Sequence, residues 1–277
     1  MRYSGTTTVI TGAGSGIGRA LAVELASRGS DLALSDVDEA GLAETVERCA
    51  GAGVRARGYR LDVSDREAVL SHAGEVVADF GSADLVVNNA GVAVVATVQE
   101  MSWEDFDWLM GINFWGVVHG TKAFLPHLVA SGDGHLVNIS SVFGFIGVPS
   151  QSAYNSAKFA VRGFTEALRQ EMIAERKPVV VSCVHPGGIR TNIVRNSRVS
   201  GAGAADRDKL VDDFARVART TPERAATAIL RGVERGRARI LVGPDAYAID
   251  AVARVLGSGY EGLLARFSRR AGTGLAV

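Results

Sequence analysis

Short apolar, β-branched runs alternate along this chain with longer segments in which apolar residues recur at helical spacing. Several of the short runs are apolar without interruption, as at 179–181, which is typical of strands buried on both faces. The candidate strands are 7–10, 32–35, 54–61, 85–88, 136–139, 179–184 and 239–242. The clearest candidate helices are 17–28, 39–49, 66–80 and 153–175. This alternation predicts an α/β fold, a doubly wound sheet of about seven parallel strands with helices on both faces.

Charge and composition exclude several classes of function. Lys plus Arg and Asp plus Glu both number 30, so no net positive charge is available to hold nucleic acid. The two cysteines form neither a disulfide framework nor a CxxC pair, and the five histidines show no HxxH or HxxxH spacing, so we expect no metal site. No apolar run approaches the ~18 residues of a membrane span, and no signal peptide precedes the first strand. We expect a cytoplasmic protein.

No linker, repeat or low-complexity tract divides the chain, so we expect a single domain over 1–277. A glycine- and alanine-rich stretch at about 192–209 predicts a flexible loop over a binding site. A C-terminal helical extension is expected over about 245–277. It carries an apolar stripe beside basic residues, which we expect to pack on the body or on a neighbouring subunit rather than on a membrane. The stripe and its basic neighbours are Tyr260, Leu263, Leu264, Phe267, Arg266, Arg269 and Arg270.

A glycine-rich turn follows the first candidate strand and opens the first helix, with the spacing T-G-x-x-x-G-x-G over 11–18. Glycines there let the backbone approach a pyrophosphate, and the free N–H groups at the helix start attract its charge. A tight turn without a ligand is the alternative. The candidate phosphate contacts are Gly12, Gly14, Ser15, Gly16, Ile17 and Gly18.

Asp36 ends the second candidate strand, near the ~20-residue spacing at which an acidic residue binds the ribose hydroxyls of NAD. A carboxylate there would repel the 2′-phosphate of NADP, and neither Ser15 nor Val37 supplies a positive charge to offset it. The sequence therefore favours NAD over NADP. Alternatively, Asp36 only opens the next helix, a role that Asp38 could fill instead.

Further motifs follow in order along the chain. Together with the glycine turn they make most of the chain resemble the short-chain dehydrogenase/reductase family. They are Asp62-Val63, Asn88-Asn89-Ala90-Gly91, Asn113, Ser140-Ser141, Tyr154 with Lys158, and Pro186-Gly187 with Ile189 and Thr191. The resemblance implies a Rossmann fold and a nicotinamide cofactor. It also implies that the cofactor is contacted by Asp62, Val63, Asn89, Ala90, Gly91, Tyr154, Lys158, Pro186, Gly187, Ile189 and Thr191.

The spacing of Tyr154 and Lys158 places both on one helix face, where their side chains can converge on one ligand. A free tyrosine has a pKa of ~10, and we expect the ammonium of Lys158 to lower it so that Tyr154 can exchange a proton near neutral pH. The family's spacing selects Ser141 over Ser140 as the residue that holds the substrate oxygen. The resemblance makes Asn113 the fourth catalytic residue, which positions Lys158 through a water molecule.

These residues predict hydride transfer between NAD and a secondary alcohol or ketone, with Tyr154 exchanging the hydroxyl proton. We expect an apolar substrate, because apolar residues lie between Ser141 and Tyr154. They are Phe143, Phe145, Ile146, Val148 and Pro149. The resemblance implies a homodimer or homotetramer. Two alternatives remain: an NADP-dependent biosynthetic reductase of the 3-oxoacyl-carrier-protein type, and a non-catalytic dinucleotide-binding protein.

Overall fold

The computed structural model describes residues 3–200, 207–262 and 265. All seven predicted strands are present, with two further strands of two residues each. The strands are β1 (Thr7–Thr11), β2 (Asp31–Asp36), β3 (Ala56–Arg60), β4 (Leu85–Asn88), β5 (Val94–Val95), β6 (Gly134–Ile139), β7 (Val179–Pro186), β8 (Arg198–Val199) and β9 (Arg239–Val242). The α-helices are α1 (Gly16–Ser27), α2 (Glu39–Ala50), α3 (Arg66–Phe80), α4 (Trp103–Met110), α5 (Gly116–Ala130), α6 (Ser152–Ala174), α7 (Arg207–Val217), α8 (Pro222–Glu234) and α9 (Pro244–Leu256). Shorter turns are the π-helical Gly111–Trp115 and the 3-10 turns Val142–Gly144 and Gly257–Gly259.

Seven strands form one sheet in the order β3-β2-β1-β4-β6-β7-β9, and every neighbouring pair is parallel. The chain winds outward from β1 in one direction and then, from β4 onward, in the other. The carboxyl ends of all these strands lie at one edge, and a crevice opens where the direction reverses, between β1 and β4. Most of the predicted cofactor contacts follow strand ends at this edge, whereas Asn113, Tyr154 and Lys158 lie in helical segments.

Successive strand residues point to opposite faces of the sheet and enter two separate apolar layers. Ile10 of β1 packs in the layer that includes Leu21 of α1 and Ile229 of α8. Its neighbour Val9 packs in the other layer, together with Phe124 of α5. The predicted doubly wound fold with helices on both faces is confirmed.

The stretch at about 192–209, predicted as a flexible loop, contains a short strand in its described part. Arg198 and Val199 form β8, which pairs with β5 in a separate parallel two-stranded sheet. The Arg198 guanidinium stacks 3.8 Å from the Trp108 ring centre and lies 2.9 Å from an Asp105 carboxylate oxygen. Such short strands carry no periodicity to detect, and residues 201–206 lie outside the described part.

Helix α9 begins the predicted C-terminal extension, and Tyr260 beyond it accepts a hydrogen bond from the Gly147 N–H at 2.9 Å. The remainder of the predicted apolar stripe and its basic neighbours lies outside the described residues. Within residues 3–200 and 207–262, none of the helices combines the length and hydrophobicity needed to cross a membrane. The same ranges hold no group of three or more metal-ligating side chains suited to an ion.

Candidate active site

The glycine turn after β1 packs directly on the segment after β4. The Asn89 side-chain amide donates to the carbonyl oxygens of Thr11 and Gly12 at 2.9 and 3.0 Å. In return the Thr11 hydroxyl accepts from the N–H groups of Asn89 and Ala90 at 3.0 and 3.1 Å. Gly12 has a φ of +67°, and a Cβ there would lie 2.7 Å from the Ala90 Cα. These contacts join two predicted cofactor segments at the crevice.

Helix α1 points its amino terminus into this crevice. Its first turn contains no acidic residue, and the Ser15 side chain makes no capping hydrogen bond. The first N–H groups of a helix have no partner within the helix, so this end can bind an anion. Gly18 allows the close turn, since a Cβ there would lie 2.1 Å from the Gly12 carbonyl oxygen.

Asp36 turns its carboxylate toward the glycine turn. Its Oδ2 accepts from the Gly14 N–H at 2.7 Å, and its Oδ1 accepts from the Asp38 N–H at 2.9 Å. A Cβ on Gly14 would lie only 2.8 Å from Asp36 Oδ2. The cap of α2 is Asp38, which accepts from the Gly41 N–H. The alternative in which Asp36 merely opens the helix is therefore wrong.

Asp62 and Val63 follow β3, next to the strand that ends at Asp36. The exposed Asp62 carboxylate accepts from both the backbone N–H and the hydroxyl of Ser64, at 2.9 and 2.7 Å. Val63 is buried, and its carbonyl oxygen lies 3.0 Å from His119 Nδ1. Both residues thus lie at the outer end of the same sheet edge.

The segment that leaves β7 returns to the glycine turn. Pro186 ends the strand, Ile189 is buried, and Thr191 lies against Gly16. A Cβ on Gly16 would be 3.1 Å from the Thr191 methyl carbon. The segment after β7 therefore lies beside the glycine turn.

Ser141 and Tyr154 meet on the far side of the crevice. The Ser141 hydroxyl accepts from the Phe143 N–H at 3.1 Å, and it lies near enough to the phenol of Tyr154 to influence its pKa. The Phe143 ring meets the Tyr154 ring edge-on at 5.9 Å. The Ser140 hydroxyl instead donates to the Lys158 carbonyl at 2.8 Å, so it is occupied by α6. This arrangement favours Ser141, as the spacing predicted.

Lys158 is buried one helical turn after Tyr154. Its Nζ donates to the Ile139 carbonyl at 3.0 Å and lies 5.5 Å from the centre of the Tyr154 ring. A Cβ on Gly91 would lie 3.7 Å from this Nζ and 3.3 Å from Asn113 Oδ1. The Lys158 and Asn113 side chains therefore both lie beside Gly91.

Asn113 is fully buried in the π-helical turn Gly111–Trp115. Its amide accepts from the Val92 N–H and donates to the Val92 carbonyl, both at 2.8 Å. The extra residue of a π turn is a feature frequently found at functional sites. Here it holds Asn113 beside Gly91 and near Lys158, so the four predicted catalytic residues cluster.

The protonation of this cluster differs from the sequence prediction. Burial raises the pKa of Tyr154 to about 12, and the Ser141 hydroxyl opposes this shift only in part. Burial lowers the pKa of Lys158 to about 8. The expected lowering of the Tyr154 pKa by Lys158 is therefore wrong for this arrangement. The Lys158 ammonium donates to the Ile139 carbonyl, and the cost of burying the charged phenolate outweighs its attraction to this ammonium.

The residues expected to line an apolar substrate cleft also require correction. Phe145, Ile146 and Val148 are buried in an apolar cluster with Ile249 of α9 and with Tyr260. Their side chains serve the packing of the C-terminal helix, and Phe143 is the one of this set in ring contact with Tyr154. Sequence proximity to Ser141 did not reveal which way each side chain points.

Two residues that support the site were not singled out from the sequence. His185 is fully buried; its Nδ1 lies 2.9 Å from the Ser141 carbonyl oxygen, and its ring stacks on Phe145 at 4.1 Å. Because a carbonyl can only accept, Nδ1 carries the hydrogen. Asn155 donates to the carbonyls of Phe143 and Ile146 at 2.8 and 2.7 Å. Both fix the segment after Ser141, and the position of Asn155 beside Tyr154 was the available signal.

Comparison with known proteins agrees with this geometry. A family model described as short chain dehydrogenase matches residues 6–200. The chain is 55% identical over 264 residues to "Putative oxidoreductase SadH" of Mycobacterium tuberculosis, covering 95% of each. A short-chain dehydrogenase/reductase from Burkholderia phymatum in complex with NAD superposes with a TM-score of 0.85, 34% identity and coverage of 95% and 96%. An alcohol dehydrogenase from Thermococcus sibiricus complexed with 5-hydroxy-NADP gives 0.73 and 27%, with coverage of 86% and 95%.

Replacing Gly18 by alanine tests the glycine turn. We expect the unfolding free energy to fall by about 1–3 kcal/mol, because the new methyl group would collide with the Gly12 carbonyl. Urea unfolding and fluorescence titration with NADH measure the effect, and NADH binding should weaken by about tenfold or more. Gly74→Ala in α3, where the space around the Cβ is open, is the matched control. Unchanged stability and binding in Gly18→Ala would contradict the geometry.

Replacing His185 by phenylalanine tests the neutral buried imidazole. Burial lowers the pKa of His185 to about 4 from its ordinary 6.5, so between these values the unfolded state binds a proton that the folded state does not. The folded state therefore loses stability as the pH falls through this window, at up to about 1.4 kcal/mol per pH unit. In urea titrations the stability advantage of the wild type over His185→Phe should shrink from pH 6.5 to 4 and stay constant above 7. If the stabilities of the wild type and His185→Phe differed by the same amount at every pH, His185 would not be a neutral buried imidazole.

Proposed function

The chain belongs to the short-chain dehydrogenase/reductase family, and from this premise we propose that it is an NAD-dependent enzyme of secondary alcohols or ketones. It is an NAD(P)-dependent oxidoreductase that acts on CH–OH groups. The observation that carries the proposal is the grouping of Ser141, Tyr154 and Lys158 near the strand ends that Gly12 and Asn89 join.

The residues around the crevice fit a dinucleotide. Gly14 and Gly16 lack the Cβ that would crowd Asp36 and Thr191, so both of these predicted cofactor contacts can lie close to the glycine turn. The amino terminus of α1, which has no acidic residue in its first turn, suits the pyrophosphate charge. Asp62 and Val63 lie toward the adenine end, and Thr191 lies toward the nicotinamide end. When bound, the nicotinamide supplies or accepts a hydride.

The charges near Asp36 favour NAD over NADP. The Asp36 carboxylate faces the glycine turn, and as the proposed partner of the adenosine ribose it would repel a 2′-phosphate. Arg19, a cation near the glycine turn, is already engaged by the carbonyls of Gly14 and Gly41 and pairs with Glu44 at 2.8 Å. Its guanidinium is thus committed to structural partners and is a poor partner for an added phosphate.

Tyr154 is the proposed proton donor and acceptor. With its pKa raised to about 12, the phenol holds its proton at neutral pH, which suits donation to a carbonyl oxygen during ketone reduction. Ser141 donates a hydrogen bond to the same oxygen and holds the charge that develops there. Burial lowers the pKa of Lys158 to about 8, and its side chain lies near this pair. Asn113 lies beside Lys158.

An apolar substrate remains the proposal, on narrower grounds than the sequence suggested. The Phe143 ring contacts Tyr154 directly, and Val92, Phe114 and Tyr154 all pack against the same buried apolar cluster. Side chains of this kind favour an alcohol or ketone with an apolar body and offer no cation to a substrate carboxylate.

A homodimer or homotetramer is part of the proposal. Trp115 and Phe159 remain 51% and 42% exposed, next to α5 and on α6. Burial of such large apolar groups against a second copy would stabilise an oligomer.

Replacing Tyr154 by phenylalanine tests the chemistry. We expect turnover of a panel of secondary alcohols with NAD, and of ketones with NADH, to fall by about 100-fold or more, because the transferable proton is lost. The NADH dissociation constant, measured by fluorescence, should stay within about twofold. Tyr247→Phe, an exposed tyrosine on α9, is the control. Turnover that survives in Tyr154→Phe would exclude this mechanism, and a wild type that binds NADH without turning over would revive the non-catalytic alternative.

Replacing Asp36 by alanine tests the cofactor preference. The wild type should bind NADH at least about tenfold more tightly than NADPH, and the alanine variant should lose most of this preference because the repelling carboxylate is gone. Asp38→Ala, which removes only the cap of α2, should keep the preference while costing about 1 kcal/mol of stability. Equal affinities in the wild type, or tighter NADPH binding, would favour the biosynthetic reductase instead.

A further inference from the structure

The segment from Pro186 to Thr191 is held from behind by the first turn of α9. The Gly188 N–H donates to Asp245 Oδ2 at 2.6 Å. Asp245 is the second residue of α9 and is half-buried. An ionised carboxylate in the first turn of a helix is stabilised by the helix dipole, and a charge-assisted hydrogen bond is stronger than a neutral one.

Two glycines leave room for this carboxylate. A Cβ on Gly187 would lie 2.0 Å from Asp245 Oδ2, and a Cβ on Gly243 would lie 2.5 Å from Asp245 Oδ1. Gly243 also has a φ of +97°, which sets the sharp entry into α9. The segments Pro186-Gly187-Gly188 and Gly243-Pro244-Asp245 are therefore complementary in shape, although they lie far apart in the sequence.

The segment has other anchors, which are backbone hydrogen bonds and the Arg190 guanidinium, whose Nε donates to the Ala218 carbonyl at 2.9 Å. The Gly187 N–H donates to the Val242 carbonyl at 2.9 Å, and the Arg190 N–H donates to the Thr220 carbonyl at 2.9 Å. Asp245 adds a charged side-chain contact between these two anchors. Beyond them the segment brings Thr191 against Gly16 of the glycine turn.

We propose that Asp245 is a positioning residue that fixes the Pro186–Thr191 segment for the nicotinamide half of the cofactor. The inference rests on the proposed function, in which Thr191 lies at the nicotinamide end. A segment held in place before binding loses less conformational freedom when the ligand arrives. Asp245 acts through the backbone of Gly188. The adenosine half of the cofactor is bordered instead by the glycine turn and Asp36.

The test compares two ligands that differ in the nicotinamide half. NADH and ADP-ribose are titrated against the wild type, Asp245→Ala and Asp245→Asn. We expect Asp245→Ala to raise the NADH dissociation constant about tenfold and to leave that of ADP-ribose within about twofold. Asp245→Asn keeps an oxygen that can accept from the Gly188 N–H, so it should retain NADH affinity to within about threefold. Asp250→Ala on the same helix, where the carboxylate pairs with Arg239 and Arg254, is the control for loss of helix stability.

The outcomes separate this inference from the proposed function. A selective loss of NADH affinity in Asp245→Ala, with recovery in Asp245→Asn, supports the positioning role. Equal losses for NADH and ADP-ribose, or no loss for either, overturn it while the wild-type affinities leave the proposed function intact. A wild type that binds neither ligand removes the premise and overturns both.

Discussion

Asn89 joins the carboxyl ends of β1 and β4, and the cofactor crevice depends on this junction. In a doubly wound sheet these two strands send the chain in opposite directions, and ligands bind beyond their carboxyl ends. The Asn89 amide satisfies the carbonyls of Thr11 and Gly12, and the Thr11 hydroxyl satisfies two N–H groups in return. Gly12 and Gly18 then allow the turn to fold tightly enough to present the end of α1.

The half of the site around Tyr154 depends on buried polar side chains rather than on exposed backbone groups. Lys158, Asn113 and His185 are each buried and bonded to a main-chain group, of Ile139, Val92 and Ser141 respectively. Such bonds offset the cost of burying polar side chains and give each group one orientation. The same burial shifts the pKa values of Tyr154 and Lys158 in opposite directions, toward the neutral form of each. Burial therefore accounts both for the fixed orientation of these side chains and for the shifted pKa values of Tyr154 and Lys158.

The features that the sequence predicted correctly are local in the chain. The strands, the glycine turn and the pairing of Tyr154 with Lys158 on one helix face follow from periodicity and spacing over a few residues. Features set by tertiary packing were missed or wrong. Phe145 was expected in the substrate cleft and instead stacks on His185, and the Tyr154 pKa is governed by desolvation that spacing cannot reveal. Asp245 meets Gly188 across a long sequence separation, and no motif joins them.

We propose that the glycine turn and the Tyr154 cluster border one cofactor site. A crystal structure of the protein with NADH tests this arrangement most directly. We expect the pyrophosphate at the amino terminus of α1, the adenosine ribose on Asp36, and the nicotinamide between Thr191 and Tyr154. A dinucleotide bound elsewhere, or bound with its nicotinamide directed away from Tyr154, would contradict it.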